Sequence, residues 1–313
     1  MALTNLTVDQ NHKTFEQQFC SAELTEGIHN QLISLIVVNI FLSITAFIGN
    51  TLILVALHKE SSLHPPSKLL FRSLATTDLC VGIIVEPLAV TYWMSLVNKR
   101  LHICRYALAA SNVVGHVLTA VSLLTLSAIS VDRLLALLVG LRYRQVVTLK
   151  RTYVAVIVFW IASVAFFTIH FWNTLLASWF DKIVITLCLV TSIYCYTKIF
   201  LALRHHQNQV QENAQGQQGQ TIPMNIARYK KAVFSALWLQ MTLVVCYFPY
   251  FIVAVYIWTS NNFSSSLYIA MQFAITLICL NSSLNPVLYC WKIRGVRQAV
   301  KDTIRQFFQC SSS

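Results

Sequence analysis

LLFRSLATTDLCVGIIVEPLAVTYWM, residues 69–94, carries no basic residue beyond Arg72 and two acids, Asp78 and Glu86, in an otherwise apolar frame. A helix needs roughly 20 mostly apolar residues to cross the hydrocarbon core of a bilayer, and this stretch exceeds that. Six more such stretches lie near 32–57, 106–133, 153–172, 180–203, 231–258 and 266–291. The 313 residues are 56% hydrophobic and 11% charged, whereas a water-soluble domain carries about 25% charged residues. A soluble enzyme, a collagen-like or disordered chain and a disulfide scaffold are all excluded by this composition. The expected fold is an all-α membrane protein, a seven-transmembrane helix bundle with an amphipathic eighth helix.

The flanks of the fourth and fifth stretches, Lys150/Arg151 and Arg204/His205/His206, are both cytosolic in character. Two crossings joined by a short outer loop around Asn173 to Trp179 keep these charges on one side. An outside N-terminus leaves only Lys13, Lys99, Arg100, Arg105 and Lys182 outside, and 18 of the 23 Lys and Arg inside. That asymmetry orients the bundle. The net charge of +12 then belongs to a cytosolic face that suits anionic lipid and an acidic partner rather than nucleic acid. The first 30 residues lack an apolar h-region, so no cleavable signal peptide is expected. The expected organisation is an extracellular segment 1–31, a bundle 32–291, and a cytosolic amphipathic helix with a short tail, 292–313, in the plasma membrane.

Ionisable and amide groups inside spans are costly and mark function. Read span by span they are Gly49-Asn50, Leu74-Ala75 followed by Asp78, Ser122, Asp132-Arg133 closing the third span, Trp160, Tyr196, Cys246-Tyr247-Phe248-Pro249, Asn281, and Asn285-Pro286-Val287-Leu288-Tyr289. This set resembles the rhodopsin-like (class A) G-protein-coupled receptors over all seven spans. It is loosely similar to their melanocortin, adenosine, cannabinoid and lysophospholipid cluster.

The resemblance implies a receptor with no catalytic chemistry of its own, passing an extracellular or membrane-delivered signal to a heterotrimeric G protein. It assigns Asp132, Arg133, Tyr196 and Tyr289 to the transducer site, and Tyr247, Pro249, Asn285 and Pro286 to the activation hinge. Amine receptors of that family place an Asp 18 residues before the arginine, where this chain has Gly115; opsins need a lysine where it has Cys279. A biogenic amine and retinal are therefore disfavoured, and the ligand is an unknown small molecule, lipid or peptide. Departures include Leu134 for the tyrosine after Asp-Arg, Tyr247 for the sixth-helix tryptophan, and Cys188 for the fifth-helix proline. The relay trio becomes Leu123, Cys188 and Leu243. With Tyr229, Lys230 and Lys231 but no acid at the inner end of the sixth span, Arg133 keeps only Asp132 as an evident acidic partner. A decoy receptor that binds without signalling is the nearer alternative; a transporter would show internal repeats, which the sequence lacks.

Asp78, Ser122, Asn281 and Asn285 offer oxygen ligands to a hard cation, an allosteric sodium ion being the only cofactor expected. The alternative is a protonated Asp78 in a polar network that glues helices together. For a ligand the candidates are Glu86, Asn112, His116, His170 and Tyr250, with Tyr92, Tyr256 and Trp258 behind them. Glu86 beside Pro87 leads, because an unpaired carboxylate there needs a partner, although His116 could be an internal one.

Of nine cysteines only Cys20 and Cys104 face outside, and the second outer loop, which bonds the third-helix cysteine in most relatives, has none. A Cys20–Cys104 bond would clamp the N-terminal segment across the pocket mouth; two free thiols are the alternative in that oxidising compartment. Asn5-Leu6-Thr7 and Asn262-Phe263-Ser264 are outer glycosylation sequons. Gln207 to Gln220 reads as a disordered inner loop. Beyond Tyr289, apolar residues from Ile293 to Phe308 alternate at helical spacing with Arg294, Arg297, Lys301 and Arg305, predicting a helix on the inner leaflet. Cys310 behind it is a palmitoylation candidate.

Overall fold

The computed structural model describes residues 19–21, 27–59, 63–172, 174–216, 241–257, 259, 264–292 and 294–310. Among them every regular element is helical: α1 His29–Lys59, α2 Pro65–Val97, α3 Leu101–Leu138, α4 Leu149–Trp172, α5 Thr174–Gly216, α6 Met241–Ile257, α7 Ser265–Lys292 and α8 Arg294–Cys310. Six of these are long and apolar enough to cross a membrane, and α6 is a shorter apolar helix described from Met241 onward. A bilayer imposes this uniformity, because a spanning segment must satisfy its own backbone polar groups. The outward faces carry large apolar side chains, among them Val37, Phe41, Ile44, Ile161 and Val190.

Helix α3 packs against α2, α4 and α5, while α1 packs against α2, α7 and α8. The inner half of the bundle closes on one apolar cluster that includes Ile53, Leu57, Phe71, Leu74, Leu123, Cys188, Leu243, Tyr247 and Tyr289. The substituted relay trio is thus buried together.

Two prolines shape the spans. Pro286 lies inside α7 and has no N–H for the carbonyl four residues back, that of Ser282. Asn50 Nδ2 on α1 donates to that carbonyl at 3.1 Å. In α2, Val81–Val85 is a π turn that ends with Glu86 N–H on Val81 O. The next bond of that pattern would come from Pro87, which cannot donate, and Ser43 Oγ on α1 donates to the orphaned Gly82 carbonyl at 2.7 Å. Both contacts require close backbones. A Cβ at Gly49 would lie 2.8 Å from Pro286 Cγ, and one at Gly82 would lie 2.9 Å from the Ala46 Cβ. Further along the seam Asn39 Nδ2 donates to Thr276 Oγ1 and Ser283 Oγ to Leu42 O, each at 3.0 Å.

At the outer end Cys20 is disulfide-bonded to Cys104. The bond closes 84 residues, a loop length whose chain-entropy effect is about 4 to 5 kcal/mol. It seats Phe19 against Tyr268, ring centroids 5.8 Å apart. Tyr92 donates to Phe19 O at 3.2 Å and shares a 2.9 Å hydrogen bond with the Tyr268 hydroxyl. Tyr92 is therefore a packing residue of this cap.

Two loops differ from expectation. The outer connection predicted over Asn173 to Trp179 is helical from Thr174, since Leu175, Leu176 and Ala177 are good helix formers. The Gln-rich stretch is not a loop as far as Gly216: α5 runs on through it, because Gln, Glu and Ala also favour helix once a preceding span has nucleated it. Residues 217–240, including Tyr229, Lys230 and Lys231, lie outside the described residues, as do Asn5, Asn262 and Trp258. On α8, Val296 and Val300 are buried while Arg297, Lys301 and Arg305 are exposed, as the spacing predicts. Lys59 at the end of α1 donates to Gln306 Oε1 at 2.8 Å and Thr303 Oγ1 at 3.2 Å.

Replacing Ser43 by Ala leaves the Gly82 carbonyl without a donor and should cost about 1 kcal/mol, the scale of hydrogen bonds between membrane helices. Asn50→Ala should cost more. Ser34→Ala, which removes only a bond to Asn30 O on its own exposed helix face, should leave the melting temperature of the purified protein unchanged.

Candidate functional site

The polar residues Asn50, Asp78, Glu86, Ser122, Asp132, Asn281 and Asn285 of the spans are buried. Asp78 on α2 is fully buried, and its Oδ2 accepts from Asn285 Nδ2 on α7 at 2.7 Å. Its other oxygen has no hydrogen-bond partner among the described residues, and the same holds for Ser122 Oγ, Asn281 Oδ1 and Asn285 Oδ1, all buried. A set of unsatisfied oxygens with one carboxylate has the donor chemistry of a hard-cation site.

Below it stands the inner-face group. Asp132 is buried and takes three contacts: the Tyr143 hydroxyl at 2.5 Å, Ser67 Oγ at 2.8 Å and Arg133 Nη2 at 3.2 Å. Tyr143 opens the single helical turn Tyr143–Val146 after α3. Burial and the bond to Asp132 push its phenol up to about 12, so it remains a donor throughout the physiological range. The Arg133 guanidinium lies 5.7 Å from the Phe71 ring centroid, and Phe71 in turn meets Tyr289 edge-on at 5.3 Å. Phe71 thereby joins the arginine to α7. Tyr289 is buried and its hydroxyl has no partner among the described residues. On α5, Tyr196 receives Ser130 Oγ at 3.4 Å and packs with Leu134, the residue that replaces the usual tyrosine.

Sequence reasoning named Asp132, Arg133, Tyr196 and Tyr289 but missed Ser67, Tyr143 and Phe71. Ser67 and Tyr143 reach Asp132 across 65 and 11 residues, so no local motif announces them. Asp132 is the acid paired with Arg133 among the described residues, and a cation–π contact with Phe71 adds to that ion pair.

Outward along α2, Glu86 is fully buried and neither carboxylate oxygen has a partner among the described residues. His116 is not its internal partner: its ring is exposed, and Nδ1 lies 2.7 Å from the carbonyl of Asn112 on its own helix. Val85 beside Glu86 packs with Leu42, Leu118 and Cys279, and the Glu86 carboxylate itself lies near enough to Cys279 of α7 to act on it electrostatically. Asn112 and Tyr250 are half-buried. Tyr256 of α6 is exposed. His170 lies in α4 and Cys310 closes α8, with both side chains outside the described residues. Tyr247 is buried and Pro249 half-buried in α6.

The profile of the 7 transmembrane receptor (rhodopsin family) matches residues 49–179 and 171–289. The chain belongs to that family, a class of multi-pass membrane receptors and not of enzymes. Its relatives include the adenosine receptor A3 of Ovis aries, 24% identical over 306 residues that cover 90% of this chain and 92% of that one. The adenosine receptor A2a of Homo sapiens is 26% identical over 310 residues, covering 86% and 72% respectively. Both fall in one of the four branches to which the sequence is loosely similar.

The three-way satisfaction of Asp132 sets a stability test. Tyr143→Phe and Ser67→Ala each remove a bond to a charged acceptor worth about 1.5 to 3 kcal/mol when buried, less here because Tyr143 is at the bundle edge. Each variant should melt below the parent in detergent, Ser67→Ala by more.

Proposed function

We propose that this receptor passes a signal from a ligand on its outer half to a heterotrimeric G protein on its cytosolic face, with the N-terminus outside the plasma membrane. The observation that carries the reading is the inner-face group, in which Asp132 holds Arg133 beside Phe71 and Tyr289. Release of the ion pair frees a planar fork of donors for the carbonyls of a partner's helix end. A partly exposed pair contributes about 1 kcal/mol or less, whereas about 1.4 kcal/mol shifts a two-state balance tenfold. The missing acid at Tyr229 therefore favours a measurable active population without ligand.

In transfected cells, second-messenger output normalised to surface expression should exceed that of empty-vector cells, fall with Arg133→Ala and rise with Asp132→Asn. Output equal to empty vector across all major G-protein classes would reject ligand-independent signalling and favour the decoy reading. Library screening on the same cells should include nucleosides, since the relatives are named adenosine receptors, beside lipids and peptides. Glu86, Asn112 and Tyr250 are the proposed ligand-facing groups, and Glu86→Gln should weaken the potency of an active compound.

Asp78, Ser122, Asn281 and Asn285 are the groups that would hold a sodium ion, which would neutralise the buried carboxylate and brace α2, α3 and α7 against one another. The unsatisfied oxygens support this reading. Purified receptor should then melt higher in sodium than in choline at matched ionic strength, and Asp78→Asn should abolish the difference. Equal melting of the parent in both salts would discard the ion in favour of a protonated Asp78.

A further inference from the structure

Glu86 is 0% exposed, and neither of its carboxylate oxygens has a hydrogen-bond partner among the described residues. Asp78 and Asp132, by contrast, accept from Asn285 and from Tyr143 and Ser67. Three helices meet α2 around Glu86. Gly82, one turn before it, lies against α1, where an added Cβ would stand 2.9 Å from the Ala46 Cβ. Val85 meets α3, where a Cβ on Gly115 would stand 3.6 Å from Val85 Cγ1. Cys279 of α7 is near enough to the Glu86 carboxylate to feel its charge. Among the described residues no three His, Cys, Asp or Glu side chains gather in one place.

A hard metal ion takes about six oxygen ligands or more, which one carboxylate and a thiol do not supply. A buried carboxylate with about four open lone-pair sites calls instead for N–H groups that carry a positive charge. The apolar side chains of Leu42, Val85 and Leu118, which pack with Cys279, suit the body of an organic molecule rather than its head. We propose that Glu86 anchors the primary ammonium or guanidinium group of an organic ligand with an apolar body. Gly115 stands where amine receptors place their acid, and the structure sets that position against Val85, the residue before Glu86. The acid has thus moved from α3 to α2 without leaving this level of the bundle. Its absence from position 115 argues against one geometry of amine binding and not against a cationic ligand. The inference rests on the reading of Glu86 as ligand-facing and adds the charge of the group that it faces.

The native Cys279 thiol can report this preference before any ligand is known. Purified full-length receptor is treated with the 2-aminoethyl, methyl and 2-sulfonatoethyl methanethiosulfonates, which bring a cation, no charge and an anion, and modification is followed by peptide mass mapping. Cys290, the free, half-buried thiol at the inner end of α7, is the reference within the same molecule. Relative to Cys290, the ammonium reagent should modify Cys279 about tenfold faster than the neutral one, the low end for one charge-assisted hydrogen bond. The sulfonate should be slowest. Comparison between reagents cancels any effect of the carboxylate on the thiol itself. Glu86→Gln should erase the order. Equal relative rates on the parent, an order that survives Glu86→Gln, or a Cys279 inert to all three reagents while unfolded receptor reacts would each overturn the proposal. The order on the parent needs no variant, so the test stands even where Glu86→Gln fails to fold. Labelling is read without a transducer, and a neutral agonist weakened by Glu86→Gln would leave the ligand-facing reading intact while this inference fell.

Discussion

Two carbonyls, those of Gly82 and Ser282, lose their backbone donors to prolines in the hydrocarbon region, and one helix supplies both replacements. Ser43 and Asn50 of α1 reach across to them. Water cannot perform this service at membrane depth, so the proline breaks in α2 and α7 are tolerated only where α1 lies against them. The two glycines at the contacts follow from the same requirement, since a side chain at either position would hold the backbones beyond hydrogen-bond range. Helix α1 is thus the strap on which the irregular parts of the bundle depend.

The irregularities it permits are the places where function gathers. The π turn in α2 separates Asp78 from Glu86, two fully buried acids with different surroundings. Asp78 accepts from Asn285, has the Ser282 hydroxyl as a further hydrogen-bonding neighbour, and lacks a close partner for Oδ1 among the described residues. Neither carboxylate oxygen of the buried Glu86 has a partner among the described residues. Asp132, at the inner end, is fully engaged by three donors. A saturated acid holds a structure in place, whereas an unsaturated one stores a demand for a partner. The graded satisfaction of these three groups separates a fully bonded acid at the inner face from two acids above it with oxygens that have no partner among the described residues.

The substitutions that depart from the family are absorbed by packing. Leu123, Cys188 and Leu243 share one core with Tyr247, and Leu134 packs against Tyr196. Smaller apolar groups at these positions keep the contact while losing aromatic area.

The amino-acid sequence by itself determined the seven spans, the family and most of the buried polar residues, because hydrocarbon forces long apolar runs and penalises every exception within them. It also limited the outer thiols to a single pairing, which the structure makes. Helical spacing was enough to read α8. Other features had no local signature. The helical continuation of the Gln-rich stretch depends on nucleation by α5, and the failure of His116 to meet Glu86 depends on which way α3 turns. Ser67, Tyr143 and Phe71 enter the site from distant or unmarked positions, and Ser43 looks like any serine in a membrane span. Only the tertiary structure decided these, since each is a question of which neighbour satisfies a given polar atom, and that is fixed by the packing of helices far apart in the chain.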